Sequence, residues 1–172
     1  MAHIGFGEKQ GKPMKPFHRA AGCATLLMSC LTFLSAPASA GAIQYVEISG
    51  SPALTITSTG WTPIPGLSLT LPVATPKAKT ALIFLNVPNP YATGSQYPGA
   101  KFAIDVDSTM LDPIACFSSA IEAPRDTGRV PTTLIATVPL TSSPQTVQAM
   151  WLTFRHSKGF IDSPANLSAV IE

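Results

Sequence analysis

The sequence predicts an all-β fold, a sandwich or jelly roll, on three observations. Beyond residue 40 the apolar residues alternate with a period of two rather than 3.6, the spacing that puts side chains on one face of an extended chain. Fourteen of the 17 prolines lie after Ala40, a few residues apart, and no window of eleven keeps a helical period. Clusters of Pro, Gly, Asn and Ser separate the alternating stretches, as turns separate short strands.

The strands follow in order. Leu54 and Ile56 begin the alternation, and Leu67, Leu69, Leu71 and Val73 continue it on one face. Pro63-Ile64-Pro65-Gly66 between them reads as a turn. Ala81–Val87 is a nearly unbroken apolar run, the pattern of a strand covered on both sides. Pro88-Asn89-Pro90 ends it. Tyr97-Pro98-Gly99 is the next turn, after which Phe102, Ile104 and Val106 alternate again. Leu134–Val138 is a further strand, closed by Ser142-Ser143-Pro144. Thr146–Arg155 is the longest, with Val147, Ala149 and Trp151 opposite Gln148, Met150 and Leu152. Leu167–Ile171 is the last. Eight to ten strands with such punctuation make one antiparallel sandwich. Ser118–Pro131 is the longest connection without strand character. It carries Glu122, Arg125, Asp126 and Arg129 in a chain poor in charge, and loops on a rigid sandwich are common places for binding groups.

The first 40 residues stand apart. Lys9–Arg19 is basic, Ala20–Ser35 is an uncharged apolar run, and Ala38-Ser39-Ala40 is a small-x-small cleavage site. This is the pattern of a secretory signal peptide cut before Gly41, and the run is too short for a bilayer span. Met14 would start a leader of more ordinary length. Residues 41–172 then form one domain. They hold seven Lys/Arg and eight Asp/Glu, a net charge of 7 − 8 = −1. No basic field exists for phosphates, so nucleic acid is not an expected partner. No second apolar run approaches the roughly 20 residues of a membrane helix. Cys23 and Cys30 fall within the leader, so Cys116 stands alone. It reads as a buried small hydrophobe, with an intermolecular disulfide as the alternative.

The residues advertise no catalytic chemistry. His156 is the single histidine after residue 40 and sits where a strand ends, as an exposed turn residue would. There is no G-x-S-x-G elbow. One Cys and one His are too few for zinc. Asp105 and Asp107 share one strand face opposite Phe102, Ile104 and Val106, which a polar outer face explains without calcium. No spacing of the eight acids favours a glycosidase pair. Binding or assembly, without metal or cofactor and without enzymatic activity, is the expectation.

Residues Leu85-Asn86-Val87-Pro88-Asn89-Pro90-Tyr91-Ala92-Thr93-Gly94 resemble a signature of the bacterial fucose-binding lectins with a TNF-like fold. Further matches follow in order. They are Tyr97-Pro98-Gly99, Phe102-Ala103-Ile104, Cys116-Phe117, Thr127-Gly128-Arg129-Val130-Pro131, Leu134-Ile135-Ala136-Thr137, Trp151 with Arg155, Ile161-Asp162-Ser163 and Leu167-Ser168-Ala169. The resemblance spans about Val46 to Ile171. It implies a TNF/C1q-like jelly roll, a homotrimer, and a metal-free sugar site at each junction between protomers. The implied partners are fucosylated glycans.

Carried across by position, the resemblance implies sugar contacts from Arg129, Arg155, Thr127 and Tyr91. A guanidinium presents fixed donors that fork onto two sugar oxygens, and a tyrosine ring can cover an apolar sugar face. Four implied site positions depart from the family pattern. Lys101 stands where the family has tyrosine, Ser118 where it has threonine, Ser119 where it has tyrosine, and Asp126 where it has serine. Two lost aromatic contacts, at about 1 kcal/mol each, would weaken binding roughly tenfold or more. The alternative is a structural or adhesive trimer of the same fold with an altered or lost sugar site.

Overall fold

The computed structural model describes residues 41–94, 97–112, 114–118 and 129–172. Among them every regular element is a strand. The strands are β1 (Ile43–Ile48), β2 (Leu54–Ile56), β3 (Thr62–Leu71), β4 (Thr80–Val87), β5 (Tyr91–Thr93) and β6 (Gly99–Val106). They continue as β7 (Thr109–Met110), β8 (Ala115–Ser118), β9 (Thr132–Pro139), β10 (Gln145–Phe154), β11 (Lys158–Ile161) and β12 (Ala165–Ile171). All ladders are antiparallel. One sheet runs β1-β12-β4-β9. A second runs β3-β10-β6-β7, with β8 also on β6. A small third sheet is β2-β11-β5. The all-β sandwich expected from the alternation is the observed fold.

One core unites the inner faces of the two large sheets. β4 contributes Ala81, Ile83, Leu85 and Val87, and β12 contributes Leu167, Ala169 and Ile171. Val147, Ala149 and Trp151 come from β10, and Phe102, Ile104 and Val106 from β6. The faces on which β10 and β6 alternate are those read from the sequence. Phe102 anchors an aromatic cluster, its ring 6.2 Å from Phe117 and 6.5 Å from Trp151 between centroids.

The structure corrects the reading of Pro63-Ile64-Pro65-Gly66. These residues belong to β3 rather than to a turn. β3 lies at the edge of its sheet, where a missing N–H faces no partner strand, so proline is tolerated. Pro63 is opposite Met150 and Ser68 is opposite Gln148, so β3 advances five residues while β10 advances two. Gly66, at φ +83°, re-aims the chain within this bulge. The extra length carries Ile64 and Leu67 into the core, both fully buried.

The apolar run of β4 also finds a different environment from the one expected. Its inward residues are buried, while Thr80, Leu82, Phe84 and Asn86 are half-buried on the outer face. Across the outer face of this sheet one row is Tyr45, Ser168, Phe84 and Ile135, and the next is Ile43, Val170, Leu82 and Thr137. Ile43, Tyr45 and Ile135 are 71%, 56% and 52% exposed. An unusually apolar sheet face is therefore left exposed among the described residues.

β1, β5, β7, β8 and β11 were not expected. Four of them are four residues or shorter, and β1 carries apolar residues on both faces, so period-two alternation has little length or contrast to show itself. Asp107 lies beyond the end of β6, at φ +49°, rather than on the strand face assigned to it. Its carboxylate accepts from the Thr146 N–H at 2.8 Å, and Asp105 accepts from the Ser108 N–H at 2.9 Å. Both acids secure the β6–β7 turn.

Candidate functional site

The outer face of the second sheet carries a cavity of about 600 Å³, lined by Thr59, Lys101, Cys116, Ser118, Leu152, Thr153, Phe154 and Arg155. Strand register explains the set. Cys116, Lys101 and Leu152 lie side by side across β8, β6 and β10, and Ser118, Gly99 and Phe154 form the adjacent row. Alternation sends these side chains outward while Phe117 and Trp151 point into the core. Gly99 supplies no side chain, so the Phe154 ring lies across it. Thr59 joins the rim because Ser58 O accepts from both the Thr153 N–H (2.8 Å) and the Thr153 hydroxyl (3.1 Å).

Arg155 is held at this cavity by the turn from β10 to β11. Arg155 and His156 both have φ of 55°, a conformation that non-glycine residues adopt only when their surroundings impose it. Ser157 imposes it. This residue is 2% exposed. Its hydroxyl donates to the Phe154 carbonyl and accepts from the Gly99 N–H at 3.0 Å, and its own N–H donates to the same carbonyl at 3.1 Å. His156 is an exposed turn residue, as the sequence suggested.

The guanidinium of Arg155 is oriented from two sides. Its Nη1 donates to Ser118 Oγ at 3.3 Å and to Tyr97 O at 3.5 Å, and Ser118 Oγ itself donates to Tyr97 O at 3.0 Å. The Tyr97 and Phe154 rings lie 5.7 Å and 5.4 Å from its central carbon, within cation–π reach. Nε and Nη2 have no partner among the described residues, which leaves donors for a ligand.

Arg129 belongs to a different cluster. Its Nη1 and Nη2 form a two-pronged pair with Asp162, at 2.6 Å and 2.8 Å, and Nη1 also donates to Asn89 O at 3.2 Å. The guanidinium lies 4.7 Å above the Tyr91 ring, which stacks on Phe160 at 4.5 Å. Tyr91 is only 2% exposed. Within one protomer its ring is therefore a support for Arg129, not an open platform for a sugar. Arg129 is not among the residues lining the Arg155 cavity. Of the eight expected site residues, the structure thus brings Lys101, Ser118 and Arg155 together and places Tyr91 with Arg129. Ser119, Asp126 and Thr127 lie outside the described residues.

Residues 44–170 match the family described as Bc2l-C, N-terminal domain. The chain belongs to this family. It is a family of lectin-like domains with a TNF-like fold, not an enzyme class, and the resemblance read from the motifs is upheld. No curated protein matches the chain.

As a Bc2l-C amino-terminal domain, the chain has site features that its sequence did not disclose. Asp162 was noticed only as part of a motif, yet it fixes Arg129 from 33 positions away. Tyr97, 55% exposed, offers beside Arg155 the open aromatic ring that Tyr91 does not. Ser157, whose buried hydroxyl ties Phe154 to Gly99, carries no signal in the sequence. Cys116 is exposed on the cavity wall rather than buried, because Phe117 takes the inward position on β8.

Proposed function

We propose that this chain is an exported lectin, assembled as a homotrimer, that binds fucosylated or related glycans at the junctions between protomers. Membership in a lectin-like family supports glycan binding. The observation that carries the site is Arg155, held in a strained turn with unpartnered donors over a cavity that also offers the Ser118 and Thr59 hydroxyls. Such an arrangement matches the fixed hydroxyls of a sugar ring.

The trimer rests on the outer face of the β1-β12-β4-β9 sheet. Ile43, Tyr45, Leu82, Phe84, Ile135 and Val170 form an apolar surface on a chain otherwise able to bury its core. Closed symmetry would cover it in every copy. A junction between copies would also let the Arg155 cavity of one protomer meet the Arg129 cluster of the next, so that both arginines serve one glycan. Three such sites would add avidity on a glycan-dense surface. Residues 1–40 serve export in this reading, and the exported chain is expected to start at Gly41, which amino-terminal sequencing checks.

Calorimetric titration with an L-fucoside tests the site. Saturable binding near one sugar per protomer is expected, with at least a tenfold loss in Arg155→Ala while the trimer persists. An Arg155→Ala protein that bound as well as the parent would move the site elsewhere. No heat with any sugar would favour the structural, adhesive reading.

A further inference from the structure

The cavity that holds Arg155 holds a second cation, and that pairing bears on which glycan it takes. Lys101 and Arg155 are two of the eight lining residues among those described, in a chain with seven Lys and Arg after residue 40. No carboxylate among the described residues lines the cavity, and the one ion pair described, Arg129–Asp162, lies in the other cluster. Lys101 leaves the middle of β6 between Cys116 and Leu152, so neither cross-strand neighbour neutralises it. It is half-buried there, and Arg155 lines the same cavity, so an anion bound between them would meet two cations.

We propose that this cavity selects an anionic saccharide, one carrying a carboxylate or a sulfate, with Lys101 and Arg155 as its two cationic contacts. The proposal rests on the lectin reading and deepens it. Arg155 supplies a planar fork for two oxygens of the anion, and Lys101 supplies a rotatable point charge. Ser118 and Thr59 remain for the ring hydroxyls, and Tyr97 for an apolar sugar face. The volume lies within the range of ordinary small-ligand sites.

The test is calorimetric titration of the purified protein with methyl galactoside, methyl galacturonoside, methyl galactoside 6-sulfate, N-acetylneuraminic acid and an L-fucoside. At least one anionic probe is expected to bind about tenfold or more tighter than the neutral sugars. The advantage should shrink with added salt and should vanish in Lys101→Met, which keeps the length of the side chain without its charge. Preference for a carboxylate over a sulfate, or the reverse, would identify the source of the negative charge. Binding of the fucoside with no anionic probe ahead of it would overturn the anionic preference and leave the lectin reading intact. An anionic preference that survived in Lys101→Met would overturn the role given to Lys101. Silence from all five sugars would overturn both readings together.

Discussion

Replacing Phe84 with glutamate is expected to yield a folded chain that no longer self-associates. Phe84 lies at the centre of the apolar outer face, between Ser168 on β12 and Ile135 on β9, with Tyr45 one strand further. In an isolated protomer its side chain is half-buried and faces away from the core, so a carboxylate there can reach water and the sandwich keeps its inward packing. In a closed trimer the same carboxylate would be buried without a partner in every copy, at a cost of several kcal/mol per charge. Sedimentation should therefore show the mass falling from trimer to protomer while the far-ultraviolet spectrum stays that of a β protein. Sugar binding should fall with it, since a junction site needs two protomers. A variant of unchanged mass would show that assembly uses another surface. Dissociation with undiminished sugar affinity would place the whole site within one protomer.

The same strand shows what the sequence made legible. Ala81–Val87 was read as covered on both sides, and the two-sided apolar character is real. Among the described residues one side only is covered, so the second half of that reading bears on the proposed assembly rather than on the protomer. Long alternating stretches such as β10 and β6 were readable because each inward residue repeats the signal of the one before it. Pro63-Ile64-Pro65-Gly66 was misread because residue type reports turn propensity but not position at a sheet edge, where proline is allowed. Cys116 was misread because Cys and Phe117 are both apolar, and local pattern cannot say which faces inward. The Phe102 ring decides it, through a contact made only after β6 and β8 pair.

The candidate site divides in the same way. Arg155 was legible through the family resemblance, as Trp151 with Arg155, although the strand read over Thr146–Arg155 ends one residue earlier, at Phe154. What orients it was not. Ser157 reaches Gly99 across 58 positions, and Asp162 reaches Arg129 across 33. Such pairings are set by topology, and a single sequence carries no local trace of them. The buried state of Tyr91 is likewise a product of the β5–β11 ladder and its stack on Phe160.

Gly99→Ala is expected to damage both the sandwich and the cavity, which ties these two levels together. An added methyl would collide with the Phe154 ring and with the carbonyl oxygen of Phe117. The ring can swing, but the carbonyl belongs to β8, whose Phe117 is opposite Ala100 in the ladder with β6. Relief therefore requires β8 to move, and β8 carries Cys116 and Ser118 on the cavity wall. Overpacking of this kind costs about 1–3 kcal/mol, enough to lower Tm by roughly 3–10 °C in a domain of this size. The Gly99 N–H also anchors Ser157, so a displaced strand loosens the turn that presents Arg155. Glycan affinity should accordingly fall by about tenfold or more, since loss of one well-placed charged hydrogen bond suffices for that. Gly60→Ala is the control. Its added methyl would meet only Ser58 Oγ, at 3.7 Å, and both melting and binding should stay near those of the parent. If Gly99→Ala melted and bound like Gly60→Ala, the contact of Phe154 with a bare strand would not be what shapes the site.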